Sequence, residues 1–182
     1  MALKATIFKA DLQVADIERG YYGDHAVTVA RHPSETDERM MVRLLAYALH
    51  AGEGLAFGGG VSDEDEPALW VRDLTGAIHA WIEVGLPDEK RVRRACGRAD
   101  EVFIYSYGRG AMKWWRDSGE ALARSANLTV VELAEAETKS LAALAQRNMK
   151  LGITIQDGQV LVSDGRETAQ LELAWRLRPG GG

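Results

Sequence analysis

Apolar positions near the N-terminus recur at every second residue, as in a strand that buries one face. The positions on this face are Phe8, Ala10, Leu12 and Val14. A turn at 20–23 separates them from the β-branched run 26–30, so the two segments are predicted to pair as antiparallel strands.

The spacing then changes to that of a helix, with apolar residues at Met40, Met41, Leu44, Leu45 and Ala48. We place the N-cap of this helix at Ser34, because Asp37 follows three residues later in a capping-box-like arrangement. Gly52 and Gly54 are predicted to end the helix.

The remaining chain continues to alternate between short apolar runs and helical patterns. Strands are predicted at 55–57, 68–71, 77–84, 102–105, 128–133, 151–155, 160–162 and 171–175, and helices from 87, at 111–125 and at 135–147. This order predicts one mixed α+β domain over residues 1–178, with antiparallel strands from both termini and a disordered tail at 179–182.

Composition narrows the classes of function. The 182 residues include 46% hydrophobic and 27% charged residues, which is typical of a globular protein. The net charge of −5 argues against a histone-like nucleic-acid binder, and a single cysteine, Cys96, excludes an intramolecular disulfide. Because no apolar run reaches about 18 residues and no signal peptide is recognisable, we expect a cytoplasmic protein that does not contact a membrane.

Most motif candidates favour a structural interpretation. The four histidines lack zinc-ligand spacing, although His79 is the best placed of them for a role at a site. Trp114 and Trp115 resemble a stacking platform for bases, but they share a helical face with Leu122, which indicates core packing.

Acidic residues form the strongest candidate site. Glu38 lies on the helical line of Val42 and Leu45, where an ionised carboxylate is costly unless it is paired. A dense acidic turn at 63–66 leads into the second central strand, and Glu83 lies near the end of the third.

The geometry of a hairpin connects two of these features. If the turn at 73–76 closes it, residue numbers of facing positions sum to about 149, which places Glu83 opposite Glu66 and beside Asp65. A Mg²⁺ ion held by these carboxylates would explain why like charges face each other. The alternative is a solvated acidic turn and a glutamate that is neutralised by an arginine or lysine.

The helix after Glu83 carries basic residues on one side: Lys90, Arg91, Arg94 and Arg98. Next to a metal site, these cations could hold a nucleic-acid backbone while the metal activates water. The alternative is an ordinary solvated face.

Several segments together resemble the YaeQ family of bacterial proteins. They are the run 30–36 with 38–41 and 43–46, the triplet 65–67, the run 81–89 with Ala95 and Cys96, and the segments 126–128 and 154–158. The similarity extends over essentially the whole chain.

The resemblance implies a variant of the PD-(D/E)xK nuclease core, also called restriction-endonuclease-like, with the order helix, three strands, helix, strand. Matched by motif, Glu38 resembles the acid of the first helix, Asp65 or Glu66 that of the second strand, and Glu83 that of the third. We therefore expect Glu38 to be at least partly shielded from water and close to Glu83. The chain departs from the pattern at Gly85, where an active nuclease has a lysine, and Lys90 or Arg91 is the candidate substitute.

Three hypotheses of function follow. The first is a Mg²⁺-dependent phosphodiesterase or nuclease, with Arg91, Arg94 and Arg98 as substrate-binding residues. The second is an inactive nuclease fold that binds nucleic acid or, as the family resemblance suggests, part of the transcription machinery. The third is a structural interaction module. Because of Gly85, we expect weak or absent cleavage of plain DNA.

Overall fold

The structure, a computed structural model, describes residues 4–180. These residues divide into two compact units. The first unit contains residues 4–51 and 136–173, and the second contains residues 52–135 and 174–180. The last two residues of the predicted tail, 181 and 182, lie outside the described residues.

Over residues 4–180 the chain forms eleven strands and four α-helices. In chain order they are β1 (Thr6–Asp16), β2 (Tyr21–Arg31), α1 (Asp37–Leu49), β3 (Leu55–Phe57), β4 (Leu69–Arg72), β5 (Ile78–Val84), α2 (Glu89–Cys96), β6 (Ala99–Tyr107), α3 (Ala111–Leu122), β7 (Leu128–Leu133), α4 (Glu135–Ala142), β8 (Asn148–Gln156), β9 (Gln159–Ser163), β10 (Thr168–Glu172) and β11 (Ala174–Leu177). None of these helices is long and apolar enough to cross a membrane.

The first unit is built on a five-stranded sheet in the order β10-β9-β8-β1-β2. Its pairs are antiparallel except for β1 and β8, which run parallel. The alternating residues of β1 are buried as predicted, since a strand that packs on one face buries every second side chain. The apolar stripe of α1, which includes Met40, Met41 and Leu44, is buried as well.

The start of α1 differs from the prediction. The N-cap is Thr36, whose hydroxyl accepts a hydrogen bond of 3.1 Å from the Arg39 amide. Ser34 lies before the helix because Pro33 and Ser34 belong to a turn, which the Glu35 amide closes by donating to the His32 carbonyl at 2.8 Å. The helix ends at Leu49, before the predicted glycines.

The second unit is built on a six-stranded sheet in the order β11-β7-β6-β5-β4-β3. Strands β3, β4 and β5 form an antiparallel meander, whereas β5, β6 and β7 run parallel and are joined through α2 and α3. A cluster on one face includes Trp70, Trp81, Val92, Ile104 and Val130. Trp114 and Trp115 pack against this cluster, so their predicted core role is confirmed.

The predicted pairing of β4 with β5 is wrong by two residues. Trp70 faces Trp81 and Leu69 faces Ile82, and a register shift follows Val71. The turn is wider than predicted because the Asp73 amide donates to the Ala77 carbonyl. Glu66 therefore lies before β4 and does not face Glu83 across the ladder.

The predicted strand 171–175 also differs, because two strands meet there. β10 ends at Glu172 in the first unit, and β11 begins at Ala174 in the second. Between them, the Leu173 amide donates to the Gly158 carbonyl at 2.8 Å. The apolar pattern is continuous through this point, which is why it predicts a single strand.

Candidate functional site: the Glu83 pocket and the acidic loop

Glu83 is a buried carboxylate near the carboxyl end of β5, with only 4% of its surface exposed. Alternation along the strand places it on the same face as Trp81, whose Nε1 donates to Glu83 Oε1 at 2.7 Å. Arg91 Nε donates to the same oxygen at 2.8 Å. A buried carboxylate requires such partners, because an unpaired buried charge is strongly destabilising.

Arg91 reaches this pocket from the first turn of α2. The helix begins after Asp88, whose carboxylate caps it by accepting from the Arg91 amide at 2.7 Å. The guanidinium also donates to the carbonyl oxygens of Glu64, at 2.6 Å from Nη1, and Glu66, at 2.9 Å from Nη2. Each of the three guanidinium nitrogens therefore donates to an oxygen. Glu83 is neutralised by an arginine, as in the alternative to a metal site that the sequence analysis left open.

Two further arginines of the predicted basic stripe contact the acidic loop, which we define as Asp63–Glu66. Arg94 Nη2 donates to the Glu64 carbonyl at 3.0 Å and to Asp65 Oδ1 at 2.8 Å. Arg98 Nη1 donates to the Asp65 carbonyl at 3.1 Å, and its guanidinium lies 5.0 Å from the centre of the Trp81 ring. The basic stripe therefore faces the loop.

The acids of the loop have different environments. Asp65 has 79% of its side chain exposed and contacts Arg94. Glu66 is half-buried, and its Oε2 accepts a hydrogen bond of 2.6 Å from the Gly59 amide, which closes the loop on itself. Among the hydrogen bonds of the described residues, neither carboxylate shares a donor with Glu83, whose donors are Trp81 and Arg91.

Glu38 lies in the first turn of α1, in the first unit. It is half-buried as predicted, and its Oε2 accepts from Thr138 Oγ1 of α4 at 3.3 Å. Because the other candidate acids belong to the second unit, the proximity of Glu38 to Glu83 stays a prediction.

The carboxylates of this pocket do not fit a Mg²⁺ site as they are arranged. Mg²⁺ requires several hard oxygen ligands that converge at about 2.0–2.1 Å. Within residues 4–180, no group of three or more His, Cys, Asp or Glu side chains could hold a metal ion. The oxygen of Glu83 that faces α2 is already bonded to Trp81 and to the cationic Arg91.

The backbone at Gly85, the position for which the resemblance implies a nuclease lysine, disfavours any residue with a side chain. Gly85 has a φ of +112°, which side-chain-bearing residues rarely adopt, and its amide donates to the Tyr105 carbonyl at 2.9 Å. Of the two predicted substitutes, Arg91 contacts Glu83. Lys90 is exposed and lines a surface cavity with Glu64, Asp88 and Arg94.

The family model for the YaeQ protein matches residues 1–173 of the chain. The chain belongs to the YaeQ family. A relative from Salmonella typhi, described as "Uncharacterized protein YaeQ", is 47% identical over 178 residues, covering 97% of this chain and 98% of the relative. The family predicted from the motifs is thereby confirmed, and this relative is bacterial, as expected.

Two solved YaeQ structures have the same mixed α+β fold. The YaeQ protein from Xanthomonas axonopodis pv. citri matches with a TM-score of 0.93 and 48% identity, covering 96% of this chain and 99% of that one. The YaeQ protein from Pseudomonas syringae matches with a TM-score of 0.91 and 38% identity, covering 97% and 98%.

A buried ion pair in the first unit was not predicted as a site. Arg43 Nε donates to Glu35 Oε1 at 2.7 Å and Nη2 to Oε2 at 2.8 Å, while Nη2 also reaches the Ala30 carbonyl at 3.0 Å. Burial lowers the pKa of the Arg43 guanidinium, and Glu35 opposes this shift. Both residues lie in the segment that carries the YaeQ resemblance, and this pair joins the end of β2 to α1.

His79 is held between two carboxylates on the surface of the second unit. Its Nδ1 lies 2.8 Å from Asp100 Oδ2, and its Nε2 lies 2.9 Å from Asp73 Oδ2. The hydrogen bond to Asp100, followed by that to Asp73, raises the pKa of His79 above its ordinary value. The position is exposed, so the arrangement favours a surface ion pair over a catalytic site.

Proposed function

We propose that this YaeQ-family protein is a nuclease-like protein that binds the phosphate backbone of nucleic acid without hydrolysing it. The element order α1, β3, β4, β5, α2, β6 supports a restriction-endonuclease-like core. In that order, an antiparallel meander is followed by a helix and a strand parallel to β5.

The observation that carries the proposal is the ion pair between Arg91 and Glu83. Metal-dependent hydrolysis needs carboxylates free to bind the ion that activates water, and a cation placed beside the developing charge on the phosphate. Here Glu83 is bonded to Arg91, and glycine stands at position 85, where the resemblance implies a lysine in an active nuclease. Both features argue against hydrolysis.

The binding surface that we propose is the outer side of α2 and α3, with the loop before α3. We call it the α2–α3 face. Residues 88–98 and 109–124 contain nine basic and four acidic residues, although the whole chain has a net charge of −5. Exposed cations on this face include Lys90, Arg93, Arg109 and Arg124. Such a surface binds nucleic acid through its phosphates, irrespective of sequence.

No contact within residues 4–180 favours a transcription-related partner, so the proposal is confined to nucleic acid.

The test compares two charge variants in fluorescence anisotropy with labelled single- and double-stranded oligonucleotides. The face variant, Arg109→Gln/Arg124→Gln, is expected to bind about three- to tenfold more weakly, with a salt slope smaller by about two. The matched control, Lys9→Gln/Lys150→Gln, removes the same charge from exposed positions of the first unit.

Three results would overturn the proposal. The first is an equal loss of affinity in both variants, and the second is no oligonucleotide binding by the wild type. The third is robust cleavage in Mg²⁺ or Mn²⁺ that Glu83→Gln abolishes, because it would restore the hydrolytic role of Glu83.

A further inference from the structure

The acidic loop accepts hydrogen bonds from Arg91 and Arg94 of α2 and from Arg98, which follows the helix. Five hydrogen bonds join them, and four of the five end on backbone carbonyls. The fifth ends on the Asp65 carboxylate. Guanidinium groups also bind phosphate oxygens, so the loop and a phosphate would use the same donors.

The loop also lowers the positive charge of the α2–α3 face. Residues 88–98 and 109–124 contain nine basic and four acidic residues, and the loop adds four acidic residues next to them. The Asp65 carboxylate lies 2.8 Å from Arg94, well within the Debye length of about 8 Å at physiological salt, so it offsets the charge of this arginine. The part of the face around Arg94 becomes more positive when the loop leaves.

Few packing interactions oppose such a movement. Asp63, Glu64 and Asp65 are exposed, and polar contacts hold the loop. Gly58, Gly59 and Gly60 precede it, and Gly60 has a φ of +54°. The Gly58 amide pairs with the Ala68 carbonyl on the far side of the loop, so the β3–β4 ladder can stay intact when the loop moves. Segments with few buried apolar contacts are the ones that open at low free-energy cost.

We propose that the acidic loop is an internal competitor for the nucleic-acid site. It occupies Arg94 and Arg98, and a phosphate backbone binds these two arginines only after the loop has been displaced. Arg91 keeps its Nε hydrogen bond to Glu83 whether the loop is in place or displaced. The nucleic-acid ligand in this inference rests on the function proposed above, whereas the competition itself concerns any polyanion.

The experiment neutralises the loop without altering its length. The loop variant is Asp63→Asn/Glu64→Gln/Asp65→Asn, and the matched control is Asp24→Asn/Glu101→Gln/Glu167→Gln, which removes three exposed charges elsewhere. Binding of a labelled oligonucleotide and of inorganic polyphosphate is measured over a series of salt concentrations, after circular dichroism has established that each variant is folded.

The loop variant is expected to bind polyanions at least about threefold more tightly than the control. Its salt slope should be steeper by about two, because two arginines gain phosphate contacts. The single variant Asp65→Asn serves if the triple variant does not fold. This variant removes only the Asp65 charge that pairs with Arg94, so a smaller effect in the same direction is expected.

The possible outcomes show whether the competition, the nucleic-acid function or both are overturned. Tighter polyphosphate binding without oligonucleotide binding supports the competition and overturns the nucleic-acid function. Oligonucleotide binding by the wild type that the loop variant does not improve beyond the control overturns the competition alone. If neither ligand binds the wild type or the loop variant, both proposals are overturned.

Discussion

Removal of the Arg91 guanidinium should destabilise the second unit far more than removal of a neighbouring arginine. Arg91→Met keeps most of the apolar side chain and deletes the hydrogen bonds to Glu83 and to the carbonyls of Glu64 and Glu66. Glu83 then keeps its bond to Trp81 but loses its cation. A carboxylate with 5% of its side chain exposed is left with an unpaired charge.

The structure sets the size of the effect. Removing one partner of a fully buried ion pair costs about 3–5 kcal/mol. The Arg91 side chain is 22% exposed, so water can partly replace it, and we expect a loss of about 2–4 kcal/mol in the free energy of unfolding. Arg93→Met is the matched control on the same helix. Its side chain is 71% exposed and pairs with Glu89, so its loss should cost about 0.5 kcal/mol or less.

Urea unfolding followed by tryptophan fluorescence measures both changes, since all five tryptophans of the chain lie in the second unit. The double variant Glu83→Gln/Arg91→Met should be more stable than Arg91→Met, because it no longer buries an unpaired charge. If Arg91→Met loses no more stability than Arg93→Met, the ion pair does not neutralise a buried charge, and the reasoning fails.

Three further predictions concern other titratable groups. Arg43→Lys should destabilise the protein by about 2–4 kcal/mol in urea unfolding, because lysine cannot make both bonds to Glu35; a change below about 1 kcal/mol would contradict this. His79, with its raised pKa, contributes stability that is present below about pH 6.5 and lost as the pH rises through the folded-state pKa. In an NMR titration, Asp100→Asn should lower that pKa, and an unchanged value would refute the assignment. Burial lowers the pKa of His50 to about 3, so stability should decrease as the pH falls from about 6.5 to about 3. His50→Gln should flatten this dependence in unfolding measured at several pH values, and an unaltered slope would exclude His50 as its source.

Much of the second unit could be predicted because its signals are local. The meander, the helix α2 and the strand β6 follow from apolar runs, turn residues and helix signals within about ten residues of one another. The basic stripe on α2 follows equally from spacing, since residues 91, 94 and 98 fall on one side of a helix. The buried faces of β1 and α1 in the first unit were predictable for the same reason.

The arrangement of the candidate site was not predictable in the same way. The choice between a metal and an arginine beside Glu83 depends on how the turn between β5 and α2 directs Arg91, which lies eight residues after Glu83 and also binds carbonyls 25 to 27 positions earlier. The register of β4 and β5 depends on a bulge and a wide turn, and a slip of two residues keeps every side chain on its predicted face, so the pattern cannot detect it. Only the fold specifies which carboxylate is buried and which cation is within reach.

The sequence by itself therefore determined the family, the order of the elements, the faces that are buried and the groups of like charge. These properties depend on the period of side chains along one strand or helix. Tertiary structure alone decided that the basic stripe faces the acidic loop and that Arg91 neutralises Glu83. It also decided that the chain passes from one unit to the other between Glu172 and Ala174. The reason is physical: pairing a buried charge depends on distances of about 3 Å between side chains on different strands, helices and loops, and the periodicity within one element carries no information about such distances.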